Sequence, residues 1–386
     1  MPKSRETDVV CALPLLWNPG GKRIPLLVGQ DCLSSLARLL KPLSPDRILL
    51  VYDALLPARC GREVRAIAGT IAPVTLLPAA AGEAGKTLAT LEALAGHALA
   101  AGASRRSCVI ALGGGLVCNM AGMLAATLYR GIPLIHVPTT LLAMHDTVTS
   151  LKQALNIAGH KNLLGMYHRP AGILCDTRFL LTLPPAAIQA SLVEIVKNAL
   201  VLGGPYIQHA RRLTADLPQA DALAVIRSGV AAKRSLMRLD PYEKSAAVVF
   251  EYGHTVGHAI ESCCHGEIGH GQCIYWGMGA AGEIAHALGL LGIEAHQRHQ
   301  AMLGLLGTVA APQPIALSCL LEALAFDNKR GHLPPLRGHI QMVLLREIGQ
   351  AAHTGDMPIV QVPLAEVRKA LKRLPFVDLT LKRPLL

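Results

Sequence analysis

The chain has 386 residues, 51% of them hydrophobic and only 3% aromatic, with a net charge of +11. At roughly 150 residues per domain, that length suits two domains, and a composition rich in Ala and Leu but poor in aromatics argues against an all-β fold. The basic residues are scattered, with no run of five and no interleaved aromatics, a pattern that argues against nucleic acid and for an anionic small molecule such as a phosphate ester or dinucleotide.

The cysteines have no C-x-x-C and no regular framework, so reduced, buried thiols in a cytoplasmic protein are expected. The N-terminal MPKSRETDVVCALPLL mixes charges of both signs with too short an apolar run for a signal peptide. Residues 107–128, SCVIALGGGLVCNMAGMLAATL, carry no charge and are long enough to span a bilayer. Their triple glycine and Asn119 instead predict a buried strand, a glycine turn and a buried helix, with no membrane partner.

In chain order, RILLVYDALLP (47–57) reads as a buried strand ending at Asp53, and VTLLPAAAGEAGKTLATLEALAGHAL as a strand, a loop with Glu83 and Lys86, then a helix. SCVIALGGG and VCNMAGMLAATLYRG form the strand, turn and helix just described, the helix closed by glycine. IPLIHVPTTLLAM is a further strand, ended by Pro138, Thr139 and Thr140, and GILCDTRFLLTLP a strand with its turn. Strands alternating with helices predict a doubly wound, Rossmann-like α/β domain over residues 1–180. After Leu183-Pro184-Pro185, the segments AAIQASLVEIVKNALVLGG, ADALAVIRSGVAAKRSLMR, AAVVFEYGHTVGHAIESC and QCIYWGMGAAGEIAHALGLL all read as helices. They predict a mainly α-helical domain over 181–386, with no internal repeat and no chemical signal in the last 35 residues.

Two stretches carry chemistry. LGGG (112–115) runs from a strand directly into a helix; glycines admit a phosphate to backbone N–H groups, and the helix N-terminus favours its charge. This is not G-x-G-x-x-G, so a plain tight turn is an equal reading. The second is EYGHTVGHAIESCCHGEIGHG (251–271), where His254 and His258 lie four apart on one helical face and His270 follows an irregular segment. Thr255 stands where H-E-x-x-H requires glutamate, which excludes a zinc peptidase of that type. Two imidazoles and a carboxylate would suit a catalytic divalent ion with open positions; on spacing alone, structural histidines fit as well.

GHTVGHAIE, with GGGLVCNMAG, VPTTLLAMHD, GHKNLLG and EIVKNAL, resembles the dehydroquinate synthase superfamily of sugar-phosphate cyclases, in the family's order from about residue 50 to 350. Within it, SLKQALN (150–156), DPYEKSAAVVFEYGHT (240–255) and FDNKRGHLP (326–334) look like the branch that makes 2-deoxy-scyllo-inosose from glucose 6-phosphate and opens the 2-deoxystreptamine aminoglycoside route. The resemblance implies a metal set of Glu194, His254 and His270 holding one cobalt or zinc ion. It leaves His258 behind the ligands or against the substrate, with Asp146, Lys197 and Lys233 also on the substrate side. For NAD it implies contacts from Asp53, Glu83, Lys86, Gly115, Asn119, Thr139, Thr140, Ser150, Lys161 and Asn162; Lys161 and Asn162 are alternatively assigned to the substrate phosphate. Lys152 and Glu251 become the catalytic pair, and a homodimer is implied.

Charge separates the branches. Dehydroquinate synthases resembling this chain place an arginine seven residues before the first histidine ligand and an asparagine three before. Here those positions are Ala247 and Glu251. Ala247 cannot pair with a substrate carboxylate and Glu251 repels one, whereas a neutral sugar with one phosphate meets no conflict. Dehydroquinate synthase and the valiolone-forming cyclases remain the rivals in class. A catalytically silent nucleotide-binding partner subunit is the reading from another class. Its one hint is Cys118, which replaces the family's glycine before Asn119 and would crowd a pyrophosphate unless its thiol turns into the core.

Overall fold

The computed structural model describes residues 13–79, 82–158, 160–215, 221–264 and 266–381. Contacts divide them into two units: the first draws on described residues within 13–18, 22–154 and 165–183, the second on those within 19–21, 155–164 and 184–381. The chain therefore passes between units more than once.

The first unit is built on a seven-stranded sheet. Its strands are β1 (Leu13–Trp17), β2 (Ile24–Gly29), β3 (Ile48–Asp53), β4 (Val74–Ala79), β5 (Cys108–Gly113), β6 (Leu134–Pro138) and, after a hairpin of β7 (Lys152–Ile157) and β8 (His160–Tyr167), β9 (Gly172–Asp176). Their order is β1-β2-β9-β6-β5-β3-β4, antiparallel only between β1 and β2. Every residue of β5, β6 and β9 is buried, as expected of central parallel strands covered on both faces. Helices α1 (Leu36–Leu40), α2 (Ala58–Gly69), α3 (Leu88–Ala100), α4 (Gly115–Thr127) and α5 (Leu141–His145) intervene. The uncharged run 107–128 is thus β5, a glycine turn and α4, whose residues from Val117 to Ala126 are nearly all buried. A Cβ on Gly113 would lie 2.6 Å from the Val117 side chain, so the turn has room only for glycine there.

The second unit carries α6 (Pro185–Leu202), α7 (Pro205–Ala215), α8 (Ala222–Met237), α9 (His254–Cys263), α10 (His270–Ala287), α11 (Ile293–Gly304) and α12 (Leu317–Leu324), with short two-stranded pieces near its C-terminal end. By length and composition α6 is apolar enough to cross a membrane, but most of it is buried in the unit and it carries Glu194, Lys197 and Asn198 on that buried surface, the pattern of a core helix. The predicted continuous helix over AAVVFEYGHTVGHAIESC is broken: residues 246–251 form a 3₁₀ turn, and Gly253 at φ +77° starts α9 afresh. α9 and α10 approach so closely that a Cβ on Gly277 would lie 2.0 Å from the Gly253 carbonyl oxygen. Glycine at the contact seats the first turn of α9 against the middle of α10, and the His254 and His270 rings lie 5.5 Å apart, centre to centre.

Candidate metal centre and cofactor-binding edge

Three helices of the second unit converge on one carboxylate. Glu194, fully buried on α6, has Oε1 3.8 Å from His254 Nε2 and 3.9 Å from His270 Nε2. One donor atom from each of the three residues falls within 4.8 Å of the others. Neither imidazole is loose. His254 Nδ1 lies 3.0 Å from the Tyr252 carbonyl oxygen, and His270 Nδ1 3.2 Å from Glu261 Oε2. Each acceptor takes the Nδ1 proton, so the Nε2 lone pair of each ring faces the carboxylate, the arrangement a metal-binding imidazole needs. Burial, then the Lys197 ammonium, hold His254 well below the usual histidine range, and a neutral ring is the ligating form. Glu194 Oε1 makes no hydrogen bond, while Oε2 is ion-paired with Lys197. A buried carboxylate oxygen facing two imidazole lone pairs is electrostatically incomplete without a cation, so these residues fit a divalent ion.

Around this cluster lie charges that seldom occur buried. Lys197 and Lys233 are both buried, their ammonium groups 5.9 and 4.6 Å from the centre of the Phe250 ring. Asn198, next to Lys197, is buried with neither amide atom hydrogen-bonded, a polar group of the kind a ligand completes. Glu251 closes the 3₁₀ turn and accepts from Asn328 Nδ2 at 3.3 Å, with Lys329 Nζ 3.7 Å away. Lys329 is itself buried and lies 3.1 Å from Asp327. Lys329 and Asn328 escaped residue-level assignment although FDNKRGHLP is a recognisable segment; an Asp-Asn-Lys run reads as solvated loop until tertiary structure buries it. Ala247 is fully buried. Its N–H donates to Asp240, which also accepts from the Lys244 and Ser245 N–H groups.

His258 lies one turn beyond His254, their ring centres 5.1 Å apart, and burial pushes it down to about 4. It lines an open recess with Lys161, Asn162, Thr255, Phe326 and Asn328. Lys161, expected at the cofactor or phosphate, forms a 2.8 Å ion pair with Glu261. Asn162, at φ +57°, donates its N–H to Asn156.

In the first unit the assigned NAD residues line the carboxyl edge of the sheet, where doubly wound folds bind nucleotides. Asp53 ends β3, and its Oδ1 accepts from Leu55 N–H. Glu83 and buried Lys86 follow β4. Gly115 opens α4, whose cap residue Gly114 offers no side chain to the first-turn amides. Those amides are the natural partners of an anion, so the edge fits a dinucleotide pyrophosphate. Thr139 donates its N–H to Gly113 O at 2.9 Å, and Thr140 Oγ1 caps α5 through Ala143 N–H at 3.2 Å. Asn119 donates to Gly115 O and accepts from Ala154 N–H; its side chain ties α4 to β7. Ser150 Oγ accepts from Lys152 N–H, and Asp146 follows α5. Lys152 belongs to the first unit and Glu251 to the second.

Cys118 is buried, with its sulfur 3.8 Å from Gly113 O, and burial pushes the thiol up to about 12. The side chain turns into the core and does not crowd the glycine turn. The expectation of thiols that are all reduced fails at one pair: Cys263, at the end of α9, is disulfide-bonded to Cys319 of α12. The two lie 56 residues apart, so only the packing of α12 on α9 reveals them as partners.

The 3-dehydroquinate synthase N-terminal family matches residues 76–190 and its C-terminal counterpart residues 191–330. The chain is 40% identical to a 2-deoxy-scyllo-inosose synthase of Streptomyces ribosidificus over 89% of each chain. It is similar in structure to a 2-deoxy-scyllo-inosose synthase solved with carbaglucose-6-phosphate, NAD+ and Co2+, with a TM-score of 0.84 and 32% identity over 92% of this chain and 98% of that one. A 2-epi-5-epi-valiolone synthase of Streptomyces hygroscopicus, solved with NAD+ and Zn2+, gives a TM-score of 0.76 and 28% identity over 94% and 98%.

Proposed function

The chain belongs to the 3-dehydroquinate synthase family, and from that premise we propose that it is an inosose-forming sugar-phosphate cyclase. It converts glucose 6-phosphate to 2-deoxy-scyllo-inosose with release of phosphate, using NAD and one cobalt or zinc ion, and so opens 2-deoxystreptamine aminoglycoside formation. The observation that carries the choice of substrate is the pairing of buried Ala247 with a Glu251 anchored by Asn328 and Lys329. Those two positions supply a proton carrier and no arginine for a carboxylate.

With both bound, NAD would lend and recover one hydride and the divalent ion would supply a Lewis acid toward sugar hydroxyls, with no net reductant formed. Glu194, His254 and His270 are the proposed ligands; one carboxylate and two neutral imidazoles leave positions for sugar oxygens. Asp53, Glu83, Lys86, Gly115, Thr139, Thr140 and Ser150 are the proposed NAD contacts along the sheet edge. Asn119 supports the same turn from behind, through Gly115 O. Glu251 carries the protons exchanged during loss of phosphate and ring closure, held in reach by Asn328 and Lys329. Lys152 polarises the sugar oxygens. Lys233 and Lys197, desolvated against Phe250, offer positive charge to the phosphate as the bond at C6 breaks. Asp146 and His258 are the remaining substrate contacts, His258 from the wall of the recess. A cytoplasmic homodimer is the proposed working form, and light scattering at twice the chain mass tests the dimer.

The function is tested by incubating the purified protein with glucose 6-phosphate, NAD and cobalt or zinc. Phosphate should appear as sugar is consumed, with no accumulation of NADH. Phosphate released only from a heptulosonate or from sedoheptulose 7-phosphate would move the assignment to the neighbouring branches. Steady NADH production would replace the cyclase with a polyol dehydrogenase.

A further inference from the structure

The β7–β8 hairpin connects the metal centre to a part of the chain far from it in sequence. Asn162, in the left-handed region at φ +57° with its N–H on Asn156 Oδ1, kinks β8 beside Lys161. Asparagine tolerates this conformation better than most residues. Just before the kink, His160 stacks on Phe326, with ring centres 3.6 Å apart, and Lys161 Nζ reaches Glu261 Oε1 at 2.8 Å. The second oxygen of the same carboxylate, Oε2, lies 3.2 Å from His270 Nδ1. Glu261 thus has one oxygen on a lysine and one on an imidazole whose far nitrogen faces Glu194. Both side chains of the lysine–glutamate pair are largely shielded, at 15% and 13% exposure, so the contact is stronger than a surface pair.

We propose that Lys161 and Glu261 form a positioning pair for His270. Lys161 fixes the Glu261 carboxylate; Glu261 accepts the Nδ1 proton of His270 and so fixes the tautomer and the ring plane. The start of β8 thereby controls how firmly the second imidazole holds an ion. Lys161 acts on the metal centre through Glu261. This rests on Glu194, His254 and His270 being the ligand set. An acceptor behind a metal-bound histidine typically matters by 10–100-fold in metal affinity (about that range).

The test is cobalt titration of metal-stripped, full-length protein, read by the visible absorption of bound cobalt and by metal retained after dialysis. Glu261→Gln should weaken cobalt binding by about 10–100-fold. Lys161→Met should weaken it in the same direction by less, and Lys161→Arg should restore it. The double variant Lys161→Met/Glu261→Gln should bind no worse than Glu261→Gln alone, because both act through one contact. Should Glu261→Gln fail to fold, Lys161→Met with its arginine rescue carries the test. Unchanged cobalt affinity in Glu261→Gln, or a Lys161→Met effect confined to the KM for NAD or glucose 6-phosphate, overturns the positioning pair alone. Glu194→Gln that still binds cobalt, with Glu261→Gln binding none, places the ion on His258, Glu261 and His270 and overturns the ligand set as well.

Discussion

The two units solve their binding problems in opposite ways. The sheet edge of the first unit is made mostly of backbone, with Lys86 buried beside it: a glycine turn, an uncapped helix start, and Thr140 and Asn119, whose side chains are spent on internal contacts. The metal-centre unit instead buries charge: Glu194, Lys197, Lys233, Asp327 and Lys329 are each less than a tenth exposed. Backbone sites tolerate side-chain change provided the turn keeps its shape. A cluster of desolvated charges does not, because removing one leaves its partner uncompensated. The contrast predicts where substitution hurts.

The largest effect should come from Glu194→Gln, which keeps volume but removes the charged ligand. Metal content after dialysis should fall close to zero, and turnover by roughly a thousandfold or more, equivalent to about 4 kcal/mol of lost charge stabilisation. Retained metal with normal turnover would erase the distinction between the units. Glu251→Gln comes next: kcat should drop by about 10²–10⁴-fold, the usual worth of a proton carrier, with metal content unchanged. Loss of metal in that variant would mean Glu251 is structural to the centre.

An acid-stability effect should be intermediate. His299 is fully buried, bonded to the Tyr252 hydroxyl at 2.8 Å, and pushed by burial down to about 4. A histidine depressed in the fold takes up protons more readily when unfolded, so stability is complete above about 6.5 and declines as pH falls from there toward 4. The loss is on the order of 1–3 kcal/mol from this one side chain. His299→Gln should flatten the fall of Tm over that window, and an unchanged slope would assign the acid sensitivity to other groups. The smallest effect belongs to Cys118→Ala in the first unit. It should cost about 1 kcal/mol of stability through a small void and leave NAD affinity where it was; weakened NAD binding would show that the thiol shapes the turn.

The same contrast explains what could be read in advance. The strand ending at Asp53 and the strand–turn–helix over 107–128 were legible because continuous apolar runs and a triple glycine are local signals. His254 and His258 were legible as neighbours on a helix. The choice of His270 and of Glu194, which sits on a different helix, came only with the family resemblance, since spacing along a chain cannot rank partners that converge through packing. The break at Gly253 was missed because alternating apolar residues on either side continue a helical period. Lys161 is placed at the cofactor or the phosphate by the family resemblance alone. Its pairing with Glu261 lies beside the left-handed Asn162, and no sequence period announces it. Lys329 and the Cys263–Cys319 bond were hidden likewise, both being products of how α12 and the segment after it fold against α9.

The central claim is that one divalent ion sits among Glu194, His254 and His270. Anomalous scattering at the cobalt edge, from crystals of the cobalt-loaded protein, tests it most directly. The account predicts a single strong peak bonded to Glu194 Oε1, His254 Nε2 and His270 Nε2. A peak among His258, Glu261 and His270, or none near α6, would contradict it.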